Sequence, residues 1–178
     1  VTSVEFFDYW EMEKAYSGKY RLTLAGPTHT IEKNLESVFS RIARYDHYRA
    51  DQYRSTALDI LAHIDDYLYD QDLPVIDDDH PRVQPKSPCF KEQFAIQIRD
   101  LQPGQKRFMI SRRIWDHART NSVTKAGLIL HEVMYREFIE HGDVNSDRVR
   151  NFNFMISSNS PVVASLAAYR SFLNGFRQ

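Results

Sequence analysis

The chain has 178 residues, the size of one globular domain with a substantial core. Hydrophobic residues make up 42% and aromatic residues 13%, which excludes a disordered or low-complexity protein. A formal net charge of -1 at pH 7 gives no whole-chain field for nucleic acid or an anionic membrane, so no nucleic-acid partner is expected. The apolar runs are too short for a membrane span.

Cys89 is the sole cysteine, so no intramolecular disulfide can form. The chain opens on Val1 and not Met, the start expected of a trimmed or processed protein from which any targeting segment has been removed. A single domain over residues 1–178 is expected.

Val4 to Tyr16 carries apolar and aromatic residues at helical spacing, Phe6, Phe7, Trp10 and Ala15 among them, with Gly18 as the stop. Tyr20 to Leu24 alternates and predicts a short strand closed by Gly26-Pro27. Thr28 or Thr30 then caps a helix whose stripe is Ile31, Leu35, Val38, Phe39 and Ile42. A third helical pattern follows Tyr45-Asp46 through Tyr53, Leu58, Leu61, Ile64 and Leu68.

From Asp59 to His80 there are eight aspartates and no lysine or arginine, ending in Asp77-Asp78-Asp79-His80. A calcium loop of the EF-hand type needs a spacing and a glycine that this cluster lacks, so solvated and helix-capping aspartates are the reading. Prolines 74, 81, 85 and 88 mark an irregular connector. Phe90 to Ile98 then alternates as a strand, with Glu92 on its apolar face, and Arg107 to Ile110 pairs back across the Pro103-Gly104 turn. Between Lys91 and Lys125 eight basic residues face three acidic ones, a local excess that the preceding aspartates can offset.

Ser111 caps a short helix holding Ile114 and Trp115. Thr120-Asn-Ser122 precedes the most apolar helix of the chain, at about residues 122–141 and ended by Gly142. Asn145-Ser146 caps a helix from Asp147 to Ser157, with Val149, Phe152 and Ile156 on one face. Pro161 opens a last helix with Val162, Leu166, Tyr169 and Leu173. The predicted architecture is α+β, a mostly helical single domain with a small antiparallel sheet packed around the central apolar helix.

That helix carries a polar pair at its centre: Leu128-Ile-Leu-His131-Glu132-Val-Met-Tyr135. The zincin helix places two histidines one turn apart in His-Glu-x-x-His, both on zinc, with the glutamate activating water. Here Tyr135 replaces the second histidine, and a phenol must lose a high-pKa proton to become an anionic ligand. His141 has the sequence spacing of a third metzincin histidine. On an unbroken helix, however, ten residues rise about 15 Å, too far for one metal.

A reduced zinc site would rest on His131, completed by Cys89, His80, Glu92 or an aspartate of the acidic stretch. A second chemistry would use Cys89 as nucleophile and His131 as base, with Glu132 or another acid orienting the imidazole. The alternative is a buried polar network in which Glu132 pairs with Arg136 at i+4 and Arg148 and Arg150 serve buried acids. Cys89 would then be a small buried residue at a strand start.

Pro88-Cys89 with Glu92-Gln93 and Ala95, then Trp115, Ala126-Gly-Leu-Ile-Leu-His-Glu-x-x-Tyr-Arg136, Asn145-Ser-Asp-Arg-Val-Arg150 and Asn153 to Ser157, resembles a family of uncharacterised exported bacterial proteins. The likeness covers roughly the C-terminal half. It implies a periplasmic or extracellular setting, with cell-envelope or protein partners and substrates, and carries no established activity. Physically, the set forms one polar cluster: Cys89 and Glu92 from the strand, His131, Glu132, Tyr135 and Arg136 from the central helix, and Ser146, Arg150 and Asn153 from the next. In it Arg150 and Arg136 are expected to neutralise Glu92 and Glu132. Two functions follow: a secreted hydrolase, with His131 as metal ligand or base, Glu132 as general base and Tyr135 as oxyanion donor, or a non-catalytic binding or structural domain tied by the same residues.

Overall fold

The computed structural model describes residues 3–74, 76, 81–143 and 145–175. The expected ligand His80 and the Asp77-Asp78-Asp79 cluster lie outside them. The chain is α+β and mostly helical. Eight α-helices occur among the described residues: α1 Phe7–Ala15, α2 Ile31–Ala43, α3 His47–Ala62, α4 Ile64–Tyr67, α5 Arg112–Trp115, α6 Ser122–Glu140, α7 Asp147–Ser157 and α8 Leu166–Asn174. Three short strands accompany them: β1 Leu68–Tyr69, β2 Ala95–Gln97 and β3 Phe108–Ser111. No described helix is long and apolar enough to cross a membrane.

The fold is arranged around α6, which packs on α2, α3 and α7, while α1 lies against α7. Asn121 Oδ1 accepts the Thr124 N–H to start α6. At its other end Gly142, at φ 95°, lets its own N–H reach Ile139 O while Asp143 N–H reaches Phe138 O, a Schellman stop that only glycine adopts without strain. Between these caps nearly every turn contributes to the core. Ile129, Leu130 and Met134 are fully buried in one core cluster with Leu35, Val38 and Phe39 of α2 and Phe152 and Ile156 of α7. Gly127 makes this packing possible. A Cβ there would meet Phe6 Cδ1 at 2.6 Å and Tyr9 Cε2 at 2.7 Å, so the missing side chain admits the start of α1 against α6.

The sheet has the order β1-β3-β2. β2 and β3 form the expected antiparallel pair, but β1 runs parallel to β3, so the sheet is mixed and not purely antiparallel. The strand expected over Phe90 to Ile98 contracts to β2, because four-residue β3 offers a partner only to its end. Phe90 is 67% exposed, and Glu92 sits at the surface against Arg113 instead of on an apolar face. Tyr20 to Leu24 makes no strand either. Leu22 bridges Ser158 singly, where the chain leaves α7 and has no second extended segment to pair.

Two helical faces also differ from their sequence patterns. α1 buries Asp8, Tyr9, Glu11 and Met12 and leaves Ala15 exposed. α3 buries Ala50, Tyr53, Ala57 and Ile60, with Leu58 turned outward at 44% exposure. The last helix divides into a 3-10 turn at Pro161–Val163 and α8, because Ser165 Oγ accepts the Ala168 N–H and starts a new helix. The aspartate-rich stretch offsets the basic region through surface pairs, Arg112 with Asp70 at 2.9 Å and with Asp65 at 3.5 Å, and Lys106 with Asp66. Exposed pairs of this kind stabilise by less than about 1 kcal/mol each.

Candidate functional site

A cavity of about 890 Å³ opens between the start of the chain, the segment leading into β2, and α6. Four α6 residues line it, Leu128, His131, Glu132 and Tyr135, at positions i, i+3, i+4 and i+7 on one helical face. Cys89, Glu92, Ser146 and Arg150 line the same cavity, so seven of the nine residues of the expected cluster share one space. Asn153 does not line it, and neither does Arg136. Arg136 points to the surface and pairs with Glu140 at 3.3 Å, so the expected Glu132–Arg136 tie does not form.

His131 has an unforeseen partner. Its Nδ1 donates to Asp8 Oδ2 at 2.7 Å, and Asp8 is only 2% exposed. Asn153 Nδ2 donates to the same Asp8 oxygen at 3.1 Å and to Gly127 O at 3.0 Å, so the carboxylate is held by α6 and α7 together. An ionised carboxylate only accepts, which assigns the proton to Nδ1 and leaves Nε2 as the ring nitrogen for other chemistry. Burial is the largest influence on the imidazole and favours its neutral form. The Asp8 charge, its hydrogen bond and the Glu132 charge together outweigh burial and the opposing Arg150, so the His131 pKa is raised above the ordinary 6.5.

Tyr135 lies one turn further along α6, its ring centroid 5.6 Å from that of His131. Arg99 Nη2 donates to Tyr135 Oη at 2.8 Å, which fixes the position of the phenol oxygen. Glu132 is 5% exposed, and Gln97 Nε2 donates both to its backbone oxygen at 2.9 Å and to Oε2 at 3.3 Å, tying β2 to α6. Beneath them Arg150 Nε stands 3.0 Å from Glu11 Oε2, a pair at 3% and 0% side-chain exposure. Arg150 also donates to Ser146 Oγ at 2.9 Å and to Asp147. It therefore serves the buried acid Glu11 and the partly exposed Asp147, while Glu92 is taken by Arg113 at 3.0 Å. Arg148 pairs with Asp143.

Cys89 is exposed at the rim and not buried at a strand start. Its N–H donates to Lys86 O, and the His131 nitrogen that would orient a thiol–imidazole pair is held by Asp8 and not by Glu132. His141 caps the far end of α6, exposed, with Nδ1 on Glu137 O at 2.7 Å, well apart from His131. No group of three His, Cys, Asp or Glu side chains placed to hold a metal occurs among the described residues. Among the described residues, the expected zinc ligands therefore do not gather around His131.

Sequence reasoning missed Asp8, Glu11, Gln97 and Arg99. Asp8, Glu11 and Met12 share the i, i+3, i+4 spacing of one face, a signal that was present but masked by the stronger aromatic pattern beside it. The fold and site define a mostly helical α+β protein with a buried carboxylate–imidazole pair at a cleft. No protein-family model, curated protein or solved structure matches the chain.

Proposed function

We propose that the cleft is a hydrolytic site for a carboxylic ester or amide, with His131 as its proton carrier. The observation that carries this reading is the 2.7 Å bond from His131 Nδ1 to buried Asp8, on a histidine that lines an 890 Å³ cleft. A carboxylate on Nδ1 holds the ring in one orientation and stabilises the imidazolium formed when Nε2 takes a proton.

In the proposed step a water oxygen bonds to the substrate carbonyl carbon and gives a proton to His131 Nε2. The carbonyl oxygen becomes an oxyanion and accepts from Tyr135, whose phenol oxygen is held by Arg99. The bond from carbon to the leaving oxygen or nitrogen then breaks, and the imidazolium returns its proton to the leaving group. An acid and an alcohol or amine result, with no redox change. Glu132, anchored by Gln97, adds to the negative field that keeps the imidazole basic. The family likeness supports a periplasmic or extracellular setting and a cell-envelope or protein substrate.

A panel of fluorogenic esters and peptide amides tests this reading, assayed with wild type and His131→Gln. Turnover that falls at least 100-fold in a folded His131→Gln protein supports it. Absence of turnover across both classes overturns it.

The alternative, a non-catalytic binding or structural domain, is favoured by Asn153. Its amide fastens Asp8 to Gly127 O, so the same atoms tie α1, α6 and α7 together. That reading requires Asp8 and His131 substitutions to cost stability while no substrate is turned over.

A further inference from the structure

Every residue from Phe90 to Gln97 lines the cleft. Successive side chains of an extended chain point to opposite faces, so an unbroken lining run places the cleft alongside the strand and not over one face. Among the described residues β2 is an edge strand in the order β1-β3-β2, and it borders the cavity.

The register determines which backbone groups face it. Ile96 stands opposite Met109, Ser111 N donates to Phe94 O, and Ile98 N donates to Arg107 O, both at 2.8 Å. In an antiparallel ladder, bonded residues alternate with unbonded ones. Phe94, Ile96 and Ile98 therefore bond to the β3 side, and the N–H and C=O of Ala95 and Gln97 turn to the free edge. The side-chain amide of Gln93 donates to Ala95 O, standing where a neighbouring strand's N–H would lie. The α6 residues Leu128, His131, Glu132 and Tyr135 line the same cavity, as do Phe6 and Phe7 from the start of the chain.

We propose that the cleft takes an extended peptide as an added strand on the Ala95–Gln97 edge, with the bond to be cleaved beside His131. Outward backbone donors and acceptors are matched most completely by another backbone, and a peptide is the ligand that supplies one. The aromatic walls at Phe6, Phe7, Phe90 and Phe94 favour apolar side chains, and the cavity volume lies near the upper end for a ligand site. That this peptide is also cut rests on the hydrolytic reading; its docking does not.

The test uses the full chain carrying His131→Gln, so that bound peptide persists, and an acetylated and amidated random hexapeptide library as the probe. Retained peptides are sequenced, resynthesised and added back while amide hydrogen exchange is followed by NMR. The expected result is at least tenfold slower exchange at Ala95 and Gln97, with Ile96, already bonded to β3, changing little. N-methylation of alternate peptide nitrogens should lower affinity at least tenfold. Failure to retain any peptide, or retention with neither amide protected, overturns the proposal. Docking with protection but no cleavage by wild type overturns the hydrolytic reading and leaves the docking site standing.

Discussion

Asp8 Oδ2 and His131 Nδ1 meet at 2.7 Å although 123 positions separate them along the chain. The contact depends on two neighbours. Gly127 lets the start of α1 approach α6, and Asn153 holds the carboxylate from α7.

For catalysis, the pair predicts a rate that rises with pH as His131 loses its proton, with a midpoint above 6.5 because its pKa is raised. Removing the Asp8 charge in Asp8→Asn should move that limb to lower pH. It should also reduce turnover about 100-fold or more, in line with the loss of an oriented base. Steady-state pH profiles of the two proteins check both effects.

Stability carries the opposite sign. A histidine whose folded pKa is raised stabilises fully below its unfolded value of 6.5, and that contribution is lost as pH rises through the folded value. Denaturant unfolding of wild type and His131→Gln should therefore differ most near pH 5.5 and converge at alkaline pH.

The Arg150–Glu11 pair is buried at both ends, so removing one partner strands a charge. Arg150→Met should cost about 3–5 kcal/mol. The double variant Glu11→Leu/Arg150→Met should recover part of this, since the fully buried Glu11 carboxylate is then no longer left behind. Urea midpoints of the single and double variants test the coupling.

Gly127→Ala should destabilise by about 1–3 kcal/mol through the collision with Phe6 and Tyr9, against a gain of about 1 kcal/mol in helix propensity. Because α1 must shift, turnover should fall further than lost stability explains. Thermal melts and activity measured at a temperature where the variant is folded separate the two effects.

Zinc dialysed into untagged protein and then into metal-free buffer tests the metal reading, for which the described residues offer His131 without a three-ligand group around it. Metal analysis by mass spectrometry provides the measurement. One retained equivalent, lost in His131→Ala, would restore the metal reading.

Much of the cleft was legible because periodicity is local. Leu128, His131, Glu132 and Tyr135 share a face by the geometry of any α-helix, and the polar interruption of an apolar helix marked that face as special. Arg136 was misplaced because i+4 spacing offers it two acids, Glu132 before and Glu140 after, and only packing selects between them. Glu92 was misplaced because alternation predicts a strand without showing how long its partner is.

By itself the sequence determined the helical, α+β character, the caps that bound α6, and the stripe that makes it central. These depend on interactions within a few residues along the chain. Tertiary structure decided that Asp8 and not a nearby acid would hold His131, that Glu11 would be buried against Arg150, and that the edge of β2 would border the cleft. Such pairings join residues distant in sequence, and a charged side chain in a short helix looks the same on paper whether it meets water or a buried partner.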